Sequence, residues 1–305
     1  MNIYIKCSSR PFYLERLLRS IGRNCSGAER IVLLNDGIPA RQIARLAGVV
    51  GGVEERRSPR FAGGQAADPG HFWADVVAAE GRRYAMVLEE DTWLTAPIDL
   101  AQTERVLGEN RALMLRMYWH GSEALTAAAQ VQFRAELADG NALEFYGSVA
   151  AKGWMDLYNY FCVAHGVFRA DYYSRTLRGA SYWADEISLL RAAVAFINEA
   201  VGRGEQFRLC KTRTELLRHC TTTTSRTDAG GAGKVHPIDV GKVNAALTAA
   251  WENGELDVMA GYPSDIPEAV VAAALAGRLG AEFLDEWLAW RRSYVAMYQS
   301  MGATL

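Results

Sequence analysis

Residues 84–94 read Tyr-Ala-Met-Val-Leu-Glu-Glu-Asp-Thr-Trp-Leu, a short apolar run that leads into three consecutive carboxylates. The run has the length and composition of a buried strand, so the acidic residues fall where that strand would end. Side chains two residues apart on a strand point the same way. We therefore expect Glu89 and Asp91 to share a divalent cation, Mn²⁺ or Mg²⁺, because such hard ions prefer oxygen ligands. A solvated acidic turn is the simpler alternative for an isolated motif of this kind.

Two earlier segments end in the same way. The β-prone run Ile3–Ile5 leads into the polar turn 7–11, and the run 30–34 stops at Asn-Asp-Gly, residues 35–37. Apolar residues recur at helical spacing after these runs, so strands alternate with helices. This alternation predicts a mostly parallel sheet with helices on both faces. Ligands of such sheets bind beyond the carboxyl ends of the strands, so the three polar turns are expected to converge on one edge.

The rest of the chain is less regular. Residues 48–70 are rich in Gly, Arg and Pro and predict an irregular loop, whereas residues 122–137 predict a helix. The C-terminal third predicts helices, one of which would begin with Asp265 as its capping residue and Glu268 closing a capping box. Aromatic residues at steps of four and three over residues 283–297 predict a core face or a dimer face.

Composition excludes several classes of protein. Half of the residues are hydrophobic, the net charge is -2, and no basic block is present, which argues against a dedicated nucleic-acid binder. The five cysteines form no C-x-x-C pair, so a reducing cytoplasm is the simplest location. The first residues indicate a strand and not a signal peptide, and no apolar run approaches the roughly 20 residues that a membrane span needs.

The three strand-and-turn segments resemble, in the same order, those of glycosyltransferases with the GT-A fold, especially family 2. Residues 3–21 resemble the family's first strand, nucleoside loop and first helix, and residues 31–37 resemble its second strand. Residues 84–94 resemble its D-x-D strand and turn. The resemblance covers about the first hundred residues well and the remainder loosely. Glu89 and Asn35 depart from the family pattern, since aspartate is usual at both positions.

The resemblance implies a metal-dependent transfer of a sugar from a nucleotide-sugar donor, with a UDP-sugar preferred. It assigns nucleotide binding to Ser8, Arg10, Asp36 and Glu90, and metal binding to Glu89, Asp91 and His219. For His219, a capping or packing histidine is the alternative. The Thr-, Ser- and Gly-rich residues 221–234 are expected to form either a lid over the nucleotide or a plain surface loop.

A candidate general base lies later in the chain. Inverting members of the family carry an acidic pair at the start of a helix, with arginine six residues after the aspartate. Asp185 and Arg191 have this spacing, although Ala184 replaces the first acid of the pair. The resemblance therefore implies that Asp185, or else Glu186, deprotonates the acceptor hydroxyl in an inverting transfer. Acidic residues also favour helix starts for electrostatic reasons alone.

We expect residues 1–235 to form the GT-A catalytic domain, with residues 1–95 as the nucleotide-binding half and residues 96–235 as the acceptor-side half. Residues 236–305 are expected to form a helical extension that offers a homodimer face. The acceptor is open: a glycan, lipid-linked sugar, protein, small metabolite or modified nucleic acid. The first alternative is a non-catalytic binding or scaffold subunit of a carbohydrate pathway. A nucleotidyltransferase ranks third, because the loop after the first strand lacks glycine.

Overall fold

The computed structural model describes residues 1–59, 69–117, 131–146, 165–180, 186–223 and 238–300. The strands are β1 (Asn2–Cys7), β2 (Cys25–Ser26), β3 (Ile31–Asn35), β4 (Val53–Arg57), β5 (Tyr84–Glu89), β6 (Thr92–Leu94), β7 (Ile98–Asp99), β8 (Ala112–Arg116), β9 (Val131–Glu136), β10 (Ala142–Tyr146), β11 (Gly166–Arg169), β12 (Arg208–Thr212) and β13 (Leu217–His219). The helices are α1 (Pro11–Asn24), α2 (Ala40–Leu46), α3 (Pro69–Ala79), α4 (Leu100–Glu109), α5 (Ala170–Gly179), α6 (Glu186–Gly202), α7 (Val240–Glu252), α8 (Glu268–Ala276) and α9 (Ala281–Ser300).

The central sheet has nine strands in the order β4-β3-β1-β5-β11-β8-β12-β10-β9. The first four strands are parallel to one another, and β12 is parallel to β8. Strands β11 and β10 run antiparallel to the strands beside them. The predicted fold class is confirmed as an α/β protein with a large central sheet flanked by helices, followed by a helical C-terminal segment. The sheet is mixed and not mostly parallel, because four of the eight pairings between its described strands are antiparallel.

Both faces of the sheet are covered, which explains why every residue of β1 is buried. Ile3 and Ile5 face a core that includes α1 and the C-terminal helices, with Trp251 and Trp287 among its fully buried side chains. Tyr4 faces a second core formed with α3, α5 and α6. The C-terminal helices thus pack on the same core as α1. The predicted boundary at residue 235 stays a prediction.

Three expectations about local structure are wrong. Residues 48–70 are not all loop, because the polar residues of β4 extend the parallel sheet beside β3. Residues 131–136 form the edge strand β9 and not a helix, since inward and outward side chains alternate along β9; residues 122–130 lie outside the described residues. Asp265 does not cap a helix: α8 starts after Pro267, and the Asp265 carboxylate instead accepts hydrogen bonds from Tyr13 and Thr221.

The aromatic stripe of α9 divides along its length. Trp287 and Trp290 are buried in the core, whereas Met297 is 41% exposed. The first half of the stripe therefore belongs to the core, which was one of the two expectations for it. The other expectation, a dimer face on α9, stays a prediction. Among the described residues, no helix has both the length and the apolar composition that crossing a membrane would require.

Candidate active site

The predicted polar turns do meet at the carboxyl edge of the sheet. In the register of the central strands, Lys6 lies beside Glu89 and Cys7 lies beside Asn35. The turn after β3 approaches the loop after β1 so closely that a Cβ on Gly37 would lie 2.1 Å from the Ser8 carbonyl oxygen. Only glycine can occupy that position without moving one of the two turns. The turns therefore form one continuous surface.

The loop between β1 and α1 is held by Glu90, which is 1% exposed. Its carboxylate accepts hydrogen bonds from the backbone N–H of Ser8 at 2.7 Å and of Ser9 at 3.3 Å. It also accepts one from Nε of Arg10 at 2.9 Å. Charge-assisted hydrogen bonds of this kind are the strong ones. Glu90 thus fixes the loop from inside, and its contact with a nucleotide stays a prediction.

Asp91 lies at the end of a small antiparallel ribbon, which we define as β6 paired with β13. Thr92 lies opposite His219 in this ribbon, and the N–H of Cys220 donates to the Asp91 carbonyl oxygen at 2.9 Å. The ribbon brings together residues about 130 positions apart in sequence. Ligand-type atoms of Asp91, His219 and Cys220 all lie within 4.8 Å of one another.

Charges surround the Asp91 carboxylate. Oδ2 of Asp91 lies 2.5 Å from Nη1 of Arg10 and 3.0 Å from Nε2 of His219. Burial alone would raise the pKa of Asp91, but Arg10 and His219 outweigh it and hold that pKa well below its usual range. Burial lowers the pKa of His219, but the Asp91 carboxylate more than compensates and raises it. Burial, followed by the nearby Asp91 charge, raises the pKa of the Cys220 thiol well above its usual value.

Glu89 has different partners from Asp91. Its carboxylate lies 2.9 Å from Nζ of Lys6 and 3.7 Å from Nε2 of His165. Burial would raise the pKa of Glu89, but Lys6 and His165 lower it. The turn that starts at Glu90 ends the alternation of strand side chains, so the two-residue spacing does not by itself place Glu89 and Asp91 on one ion. Among the described residues, the compact group of ligand atoms contains Asp91 and not Glu89, and a metal role for Glu89 stays a prediction.

The turn after β3 explains why Asn occupies position 35. The side-chain oxygen of Asn35 accepts hydrogen bonds from the N–H groups of Gly37 and Ile38. Its amide nitrogen donates to the Ile38 carbonyl and, at 2.7 Å, to the Glu55 carboxylate. An aspartate here would face Glu55 with a second negative charge, so asparagine is the residue that satisfies this buried position. Asp36 follows directly, beside Ser8.

One observation in particular indicates that Asp91 and His219 could bind a divalent cation. Oδ1 of Asp91 is buried and has no hydrogen-bond partner in the part of the chain that the structure describes. A buried carboxylate oxygen without a partner is costly unless something binds it. The imidazole of His219 contacts the other oxygen, Oδ2, at 3.0 Å, and a carboxylate with an imidazole suits Mn²⁺. Arg10 occupies the other oxygen, so a cation would share Asp91 with that guanidinium.

Two residues at the site were not predicted. Cys220 is next to His219 in sequence, and that adjacency was the only signal for it. His165 follows an apolar stretch and carried no sequence signal for a site; it is 6% exposed, and its ring centroid lies 6.2 Å from that of His219. Burial lowers the pKa of His165 to about 4 despite the neighbouring Glu89. The candidate base Asp185 lies outside the described residues, and Glu186 begins α6.

Comparisons with known proteins give structural matches only. No protein-family model matches the chain, and no curated protein sequence matches it. The chain is similar to glycosyltransferases of known structure. Residues 1–349 of TarS from S. aureus, solved with UDP-GlcNAc, match at 13% identity and a TM-score of 0.45, over 93% of this chain and 72% of that one. The galactosyltransferase LgtC, solved with donor and acceptor sugar analogues, matches at 13% identity and a TM-score of 0.37, over 65% of this chain and 70% of that one.

The bifunctional glycosyltransferase WbbM matches at 13% identity and a TM-score of 0.39, over 65% of this chain. This chain spans 37% of the length of WbbM. The matched structures are glycosyltransferases, the class of protein that the sequence resembles. Because every TM-score is below 0.5, the proposals below rest on the geometry of the site.

Proposed function

We propose that the protein is a glycosyltransferase that takes a sugar from a nucleotide-sugar donor and passes it to an acceptor hydroxyl. The observation that carries this proposal is the buried group of Asp91, His219 and Cys220 at the carboxyl edge of the sheet. This group lies next to the β1–α1 loop through Arg10. A cation-binding group beside a polar loop at this edge suits a donor that carries a diphosphate.

Asp91 and His219 would hold the divalent cation, with Cys220 as a further neighbour. When bound, the cation would neutralise the diphosphate and so make it a better leaving group. Arg10 is positively charged and, with its guanidinium beside Asp91, is placed to add a second positive charge near the diphosphate. The identity of the metal, Mn²⁺ or Mg²⁺, is part of the proposal.

The nucleoside would lie against the turn after β3, next to Ser8. Asp36 belongs to this turn and, as the sequence resemblance implies, would contact the base or ribose. Strand β4 brings Arg57 beside Asn35 at the same edge. Arg57 belongs to the segment that the sequence pattern predicted to be a loop. A UDP-sugar is the preferred donor, as the sequence resemblance implies.

The acceptor would approach from the side of α6. We propose that Asp185, or Glu186 one residue later, deprotonates its hydroxyl while the sugar is transferred with inversion. The family resemblance of Asp185 and Arg191 supports this role. Loss of a general base typically slows a reaction about 10²- to 10⁴-fold, without an equal effect on donor binding. Asp185→Asn should therefore bind the donor normally and transfer slowly.

The non-catalytic scaffold remains the main alternative, and the donor experiment separates it from an enzyme. Thermal shift with a panel of nucleoside diphosphates, with and without Mn²⁺, should show stabilisation by UDP only when Mn²⁺ is present. Mass spectrometry across common nucleotide sugars should then show donor hydrolysis. Binding without hydrolysis or transfer would favour the scaffold. For an active enzyme, NMR of the product that shows a retained anomeric configuration would contradict inversion.

A further inference from the structure

The ribbon that carries Asp91 and His219 is short, with three residues in each strand. Two three-residue strands cannot hold a fixed geometry by their own hydrogen bonds, since even isolated hairpins are marginally stable in water. Something else must therefore set the separation between Asp91 and His219. The contacts of the ribbon show that this support comes from the C-terminal part of the chain.

Residues 258–266, which we call the brace, contact both strands of the ribbon. The indole N–H of Trp93 in β6 donates to the Pro263 carbonyl oxygen at 2.7 Å. Nη1 of Arg218 in β13 donates to Oγ of Ser264 at 3.0 Å. The brace thus spans the ribbon from one strand to the other. The two ribbon residues that contact the brace, Trp93 and Arg218, lie two residues after Asp91 and one residue before His219.

Asp265 is the centre of the brace. Its Oδ2 accepts from the Thr221 N–H at 2.7 Å, the Thr221 hydroxyl at 2.9 Å and the Thr222 hydroxyl at 3.2 Å. Its Oδ1 accepts from the Tyr13 hydroxyl at 2.8 Å and from the Ile266 N–H at 2.7 Å. A single carboxylate therefore ties α1 to the segment that directly follows His219 and Cys220.

Two further C-terminal side chains hold the same segment. The indole N–H of Trp287 in α9 donates to the Thr222 carbonyl oxygen at 3.0 Å. The Thr223 hydroxyl donates to Oδ1 of Asn244 in α7 at 2.7 Å. Thr221, Thr222 and Thr223 are all buried. Fully satisfied polar networks of this kind fix one arrangement more strictly than apolar packing does.

The brace itself rests on a buried arginine. Arg16 of α1 is 0% exposed, and its guanidinium donates to the carbonyl oxygens of Val258 and Ser264. The same guanidinium lies 4.4 Å from the centre of the Trp93 ring. The ring of Tyr13, whose hydroxyl donates to Asp265, lies parallel to the Trp93 ring, with 6.0 Å between the two centroids. Helix α1, the brace and the ribbon are therefore one connected unit.

We infer that Asp265 is a positioning residue that sets the distance and orientation of His219 relative to Asp91. This inference rests on the proposed function, because it assumes that Asp91 and His219 bind a cation. Groups that orient metal ligands from the next layer typically change metal affinity 10- to 100-fold when they are removed. Asp265 acts on His219 through only two intervening residues.

The experiment measures Mn²⁺ affinity by electron paramagnetic resonance of the free ion, with full-length protein and no nucleotide. Asp265→Ala should weaken Mn²⁺ binding at least about tenfold. Asp265→Asn should weaken it in the same direction, because one of the two acceptor oxygens becomes an NH₂ donor that would face the N–H of either Thr221 or Ile266. The matched control is Asp257→Ala, which removes an exposed carboxylate directly before the brace that accepts from the Met259 N–H. The control should bind Mn²⁺ within about twofold of wild type.

Urea unfolding of the same variants separates positioning from support of the fold. If the Asp265→Ala variant folds, is less stable than wild type and yet binds Mn²⁺ with wild-type affinity, the inference is overturned and the proposed function is left intact. Wild-type protein that binds no Mn²⁺ would overturn the proposed metal site and the inference together. If Asp265→Ala does not fold, Trp287→Phe replaces the indole with a smaller aromatic ring and removes the hydrogen bond that the indole N–H donates to the Thr222 carbonyl oxygen. It should weaken Mn²⁺ binding about threefold, and unchanged binding would again overturn the inference.

Discussion

The β1–α1 loop and the ribbon of β6 and β13 form the two sides of the candidate site, and they are supported differently. The loop is held by one buried carboxylate, Glu90, from the turn that follows β5, the strand next to β1. The ribbon is held by neutral and charged groups of the brace, more than 40 residues further along the chain than β13. Pairing with one buried carboxylate supports one side, and a network of polar contacts from the C-terminal part of the chain supports the other.

This difference separates two kinds of mutational effect. A change in the loop removes a buried charge partner, so its main cost should be in the free energy of unfolding. A change in the brace leaves charges paired and mainly alters geometry, so its main cost should be in ligand affinity. Asp91 belongs to both sides, since it contacts Arg10 of the loop and His219 of the ribbon. Predictions at Asp91, Glu90 and Asp36 test this division.

The largest effect is expected at Asp91. Asp91→Ala should abolish Mn²⁺-dependent binding of UDP, because it removes the carboxylate shared by both sides of the site. Isothermal titration calorimetry with UDP and Mn²⁺ measures this, and circular dichroism should show a folded protein. Asp75→Ala, which removes an exposed carboxylate of α3, is the matched control. Wild-type UDP affinity in Asp91→Ala would exclude Asp91 as a ligand.

An intermediate effect is expected at Glu90, and it should appear in stability. Glu90→Ala leaves the buried Arg10 with Asp91 as its remaining described carboxylate partner and leaves the Ser8 N–H without its acceptor. We expect a loss of about 3 kcal/mol in the free energy of unfolding, measured by urea denaturation. Glu54→Ala breaks a glutamate–arginine pair at the surface and should cost far less. Equal losses in the two variants would show that burial of the Glu90 pair is not decisive.

The smallest effect is expected at Asp36, on the nucleoside side. Asp36→Ala should weaken UDP binding about tenfold, the loss of one hydrogen bond to a charged group. Mn²⁺ affinity measured without nucleotide should stay unchanged, because the ribbon does not depend on this turn. Titration of the same preparation with each ligand provides an internal control. Unchanged UDP affinity would remove Asp36 from the nucleoside site, and reduced Mn²⁺ affinity would contradict the separation of the two sides.

The first hundred residues were largely predictable because their strands are short, apolar and punctuated by polar turns. Strands β1, β3 and β5 and their parallel pairing follow from that pattern. Strand β4 was missed because its residues, Val-Glu-Glu-Arg-Arg, have no apolar periodicity and become a strand only by pairing with β3. Strand β9 was missed because a short amphipathic segment fits either a helix or an edge strand.

The sequence by itself determined which polar residues end the parallel strands, because chain direction and side-chain alternation are local properties. It therefore placed Asp36 and the acidic turn at one edge, together with Ser8 and Arg10. Only the tertiary structure decided that Glu90 supports the loop, that Cys220 joins Asp91 and His219, and that Asp265 holds the segment after them. Those contacts join residues 43 to 129 positions apart. No local preference encodes such contacts, because they depend on which buried polar groups need a partner once the helices and sheet have packed.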